Sequence, residues 1–66
     1  METTDVRERI EKIREIAGDD ERAHGEEKRL WREVLEAIAD GHTGNPAELA
    51  AAALKTRDID FHRWFA

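Results

Sequence analysis

Neither cysteine nor serine occurs anywhere in these 66 residues. Without cysteine there is no disulfide and no thiolate metal site, so a stapled secreted mini-protein is excluded. Without serine or cysteine the usual nucleophiles reduce to threonine and lysine, and no threonine stands in a catalytic pattern. Thr43 in the loop GHTGN has His42 beside it, but sequence neighbours seldom make a nucleophile–base pair, and the phosphate-loop spacing is missing. No enzyme is expected, and no cofactor. Long apolar runs are also missing: nothing approaches the ~20 residues of a membrane span, and METTDVRERIEKI is no secretory signal. No membrane association is expected, and a cytoplasmic location is.

Positive charge is in short supply. Eleven Lys and Arg face sixteen Asp and Glu, a net charge of −5, which disfavours binding through phosphates. The charges alternate in sign along the chain, as on solvated helix faces. That interleaving argues equally against an acidic mimic of nucleic acid, which needs a dense face of one sign.

What is present is helical periodicity over a single small domain, residues 1–66. Val6, Ile10, Ile13 and Ile16 form one stripe, predicting a helix over about 4–17. Thr4 or Asp5 would cap it, with Glu8 closing a capping box, and Gly18 would end it in the left-handed region. Ala23, Leu30, Trp31, Val34, Leu35, Ile38 and Ala39 make a wider stripe, predicting a second helix over about 20–40. Asp19 or Asp20 caps it and Gly41 stops it. Gly25 leaves open a separate turn at 19–24 with the helix starting at Glu26. Asn45, Pro46 and Glu48 signal a third helix, about 46–56, with Leu49 and Leu54 on its inner face. As a helix-turn-helix reader the third helix is unsuitable, because its four consecutive alanines and single late Lys55 offer little to base edges. The expectation is an all-α, up-down-up three-helix bundle.

Three of the four aromatic residues, Phe61, Trp64 and Phe65, crowd the last six positions. As a strand the tail would put Phe61, Arg63 and Phe65 on one face and Trp64 on the other. As a helical turn over 59–65 it gathers the three aromatics on one stripe and turns His62 and Arg63 outward, which is the favoured reading. Only twelve large apolar residues precede the tail once Met1 is set aside, so the aromatics are expected to complete the core, with a partner-binding or dimer-forming tail as the alternative and an edge at Trp64 compatible with both. Expected core residues are Ile10, Ile13, Leu30, Trp31, Val34, Leu35, Ile38, Leu49, Leu54 and Phe61, while His62, Arg63, Trp64 and Phe65 form the expected interaction edge. His24 and Glu27, one helical turn apart, are the weak candidate for a metal pair; a helix-surface contact explains them better.

The segments DDERAH, VLEAIADG and RDIDFHRWFA, within residues 19–66, resemble a group of small uncharacterised actinobacterial and actinophage helical proteins. Their pattern closes on Ile-Asp-Phe-x-Arg-Trp-x-Ala, matched by Ile59, Asp60, Phe61, Arg63, Trp64 and Ala66. The group has a small residue where this chain has Phe65, a departure from the pattern that implies a different packing of the tail. The resemblance implies a helical fold and a phage-related origin, and no activity. The functional expectation is a non-enzymatic protein-interaction module, phage-derived and binding a host protein. The alternative is a homo-oligomeric structural or regulatory protein; a nucleic-acid-associated regulator comes third.

Overall fold

The computed structural model describes residues 1–63. Three α-helices, α1 (Thr3–Glu15), α2 (Asp20–Ala39) and α3 (Pro46–Leu54), are followed by a 3₁₀ turn, Lys55–Asp58. Each helix packs against the other two, and the described residues contain no strand. Long-range hydrogen bonds set the directions. The Met1 ammonium donates to the His42 carbonyl (2.8 Å), just past the end of α2, so α1 and α2 run antiparallel. The Thr3 hydroxyl donates to Glu48 (3.4 Å), which joins the starts of α1 and α3. The bundle is therefore all-α and up-down-up, as the periodicity predicts.

The helix ends follow from local chemistry. Asp19 caps α2 by accepting from the Arg22 N–H (3.2 Å). At the other end the His42 N–H donates to Ala37 O (2.8 Å) and the Gly41 N–H to Ile38 O (3.2 Å). That pairing is a Schellman motif, and Gly41, at φ +71°, supplies its left-handed residue. Asn45 caps α3 by accepting from the Glu48 N–H (3.0 Å), with Pro46 at the first helical position. Two expected ends shift. α1 starts at Thr3 with Glu2 as cap, whose N–H donates to the Asp5 carboxylate (2.8 Å), so Asp5 serves as the third helical residue. Gly18 is not left-handed, because Asp19 N–H donates back to Ile16 O (2.9 Å) and closes a tight turn straight into the next cap.

α2 runs unbroken through Gly25. A Cβ added there meets nothing within 4 Å, and its φ is not in the left-handed range. Gly25→Ala should therefore stabilise the domain by up to about 1 kcal/mol, read as a higher urea midpoint. A lowered midpoint would count against a continuous helix.

The core takes Val6, Ile10 and Ile13 from α1, Ala23, Leu30 and Val34 from α2, and Leu49, Ala52 and Ala53 from α3; Ile59 and Phe61 close it. Two expected core residues are outside: Leu35 is 65% and Leu54 43% exposed. The buried line of α2 is Ala23, Glu27, Leu30 and Val34, and one residue further on is ~100° around the helix. Leu54 stands in the same relation to buried Ala53. Trp31 and Ile38 lie half-buried at the margin.

The tail corrects the favoured helical reading. Residues 59–63 are not helical, and Ile59 is extended at φ −83°, ψ 126°. Ile59 and Phe61 are buried and Arg63 is half-buried, while Asp60 and His62 are exposed, the period-two alternation of an extended strap. No helix among the described residues is long and apolar enough to cross a membrane.

Candidate functional site

Beneath the strap lies a polar line that the sequence stripe conceals. Glu27 points into the bundle and is 3% exposed. Arg63 meets it with two parallel hydrogen bonds, Nε to Oε1 (2.9 Å) and Nη2 to Oε2 (3.0 Å). The same guanidinium donates to the carbonyls of Thr56 (2.8 Å), Ile59 (3.1 Å) and Phe61 (3.2 Å). Its carbon sits 3.8 Å from the centre of the Phe61 ring, a cation–π contact that uses the strap's own aromatic. Thr56 is fully buried; its hydroxyl accepts from the Trp31 indole N–H (3.0 Å) and is hydrogen-bonded to the Glu27 carboxylate. The indole N–H is shared with the Ala53 carbonyl (3.1 Å). His24 Nδ1 stands 3.9 Å from Glu27 Oε1.

Electrostatics follow from these contacts. Burial pushes the Glu27 carboxyl up, but the hydrogen bonds from Arg63 and Thr56 and the nearby charges of Arg63 and His24 outweigh it, and its pKa ends below the ordinary value. The Arg63 guanidinium is raised, chiefly by its hydrogen bonds to Glu27. A bidentate pair of this kind is a geometric lock: it fixes which face of the strap turns inward. Further along α2, Glu33 and Arg9 form a second bidentate pair (3.2 and 2.9 Å) that ties α1 to α2.

These contacts redistribute the expected site residues. Arg63, read as part of an outward interaction edge, is turned inward, because the buried Glu27 carboxylate requires a cation. His62 is exposed, and its backbone N–H donates to Asp20 (3.2 Å). Trp64 and Phe65 lie outside the described residues. The His24–Glu27 pair is no free ligand set, since Arg63 takes both oxygens of Glu27. Among the described residues no group of three or more His, Cys, Asp or Glu side chains is placed to hold a metal ion. Glu27 and Thr56 were missed as interior residues. The signal for Glu27 was the gap between Ala23 and Leu30, where a spacing of four and then three lands on it.

The exposed leucines belong to one feature. Trp31, Val34 and Leu35 of α2 and Ala50, Ala53 and Leu54 of α3 line an open groove of about 160 Å³. Its floor is the alanine surface of α3, and its walls are Leu35 and Leu54. Lys28 and Arg32, both exposed, stand beside Leu35 on the outer side of α2. The groove carries no ionisable lining residue, so what it offers is apolar contact.

No protein-family model matches the chain, and no curated protein or solved structure shows significant similarity to it.

Proposed function

We propose that the chain is a small non-enzymatic protein-interaction module whose docking face is the α2–α3 groove. The observation that carries this reading is that the two exposed large apolar residues among the described ones, Leu35 and Leu54, line the same groove. Scattered exposed leucines are ordinary, whereas leucines gathered around an apolar slot mark a contact surface. The tail is the lesser candidate, because Phe61 and Arg63 are committed to the bundle. The occupant is a protein: either a second copy of the chain or, as the resemblance of the tail implies, a host protein.

A photo-reactive amino acid at position 54, in chain added to lysate of the producing cell, tests the reading. It should cross-link to protein, and the same probe at exposed Lys12 on α1 should not. Equal labelling at both positions, or none at position 54, would overturn it.

A further inference from the structure

α2 carries two parallel seams. The first, Ala23, Glu27, Leu30 and Val34, is spent on the bundle. The second, His24, Lys28, Trp31, Leu35 and Ile38, repeats at the same alternating spacing of four and three. Such spacing is what a neighbouring helix packs against. The second seam borders the groove and includes Leu35, the more exposed of the two large apolar side chains that stand in water among the described residues.

Resting on the groove as docking face, we infer that its occupant is a second copy of this chain, bound through antiparallel pairing of α2 about a two-fold axis level with residue 33. Three observations lead there. Position 33 is the midpoint of the 31/35 and 28/38 pairs, so the dyad sets Trp31 of each copy against Leu35 of the other. The alanine floor, Ala50 and Ala53, leaves room for the incoming leucine, so each copy holds both a projection and a receiving slot, as an isologous contact requires.

Charge selects the direction. Lys28, within the seam, and Arg32, beside it, stand toward the start of α2, and Glu36 and Asp40 follow toward its end. Antiparallel pairing brings Arg32 of one copy beside Glu36 of the other; parallel pairing would set like charges together. Arg32 already contacts its own Glu36 at 3.7 Å, and both side chains remain well exposed, so each can swing to the second copy.

Sedimentation equilibrium of the full chain from micromolar to millimolar concentration should show the mass rising from 7.6 kDa toward twice that value. Leu35→Glu should weaken association roughly 100-fold while helical circular dichroism is unchanged. The chain has no cysteine of its own, so register can be read directly. A mixture of Lys28→Cys and Ala39→Cys chains should form the mixed disulfide in preference to either homodisulfide. Three results would overturn the inference: a 7.6 kDa species at millimolar concentration, association of Leu35→Glu equal to wild type, or a dominant Lys28→Cys homodisulfide. If the chain stays monomeric while position 54 cross-links to a different protein, this inference fails and the interaction module stands. Monomer without any cross-link removes both.

Discussion

Arg63→Ala should cost about 3 kcal/mol, at the low end for breaking a buried pair, which is a large share of the stability of a domain this small. The low end applies because the Arg63 side chain is itself 31% exposed and so partly hydrated. What makes the loss severe is the group left behind. Glu27 keeps a carboxylate that is nearly sealed from water, with Thr56 and His24 as its remaining polar neighbours. The reverse deletion should be milder. In Glu27→Leu the interior gains an apolar side chain between Ala23 and Leu30, and the half-buried Arg63 head can turn to solvent. The expected order in urea unfolding is wild type, then Glu27→Leu, then Arg63→Ala; the opposite order of the two variants would refute a latch dominated by the buried acid.

The pair also gives a sign test with pH. In the wild type the Glu27 pKa is depressed on folding, so its contribution is complete above the ordinary carboxylate value of 4.5 and is lost as pH falls through the folded value. Burial is already the largest single influence on that carboxyl, and without Arg63 it loses its main opponent, so the pKa moves upward instead. A folded-state pKa above the unfolded one makes the protonated form the stabilised one. Arg63→Ala should therefore recover stability on mild acidification, over a range in which the wild type is level. Urea midpoints of both proteins between neutral and weakly acidic pH measure this.

The second large effect separates two leucines that look alike on paper. Leu30→Ala should cost about 3 kcal/mol through lost burial and the cavity left, because Leu30 is fully enclosed. Leu35→Ala should change stability by less than about 0.5 kcal/mol, because Leu35 is mostly in water. Chemical unfolding of both variants decides it; comparable losses would place Leu35 in the core.

That contrast shows where sequence reading stops. The helix starts at Asp19 and at Asn45–Pro46, and the stop at Gly41, are local events in which a side chain or a glycine satisfies the nearest backbone, so they are legible residue by residue. The width of the α2 stripe was legible too, but not which of its two seams faces inward. Residues 30 and 34 differ from 31 and 35 only in what α1 and α3 bring to them, and that is long-range information. Glu27 deepened the ambiguity, since an acid at the centre of the buried seam makes the other seam look more apolar. The tail failed for the same reason. Counting Arg63 as a surface cation made the helical reading the tidier one, and the strand division looked poor until its charge had a buried counterpart. Of the three C-terminal aromatics, Phe61 is placed in the core as expected, and Trp64 and Phe65 fall outside the described residues.

Holding Arg63 by its head group also governs how the chain meets a protease. Trypsin must take an arginine side chain into its own acidic pocket before it cuts the following bond. Here a carboxylate already occupies that role, and three carbonyls close around the same guanidinium. The bond after Arg63 can be cleaved only while the strap is lifted. Its cutting rate in the native protein is thus a clock for strap opening, and Glu27→Leu should make that clock run fast without unfolding the helices.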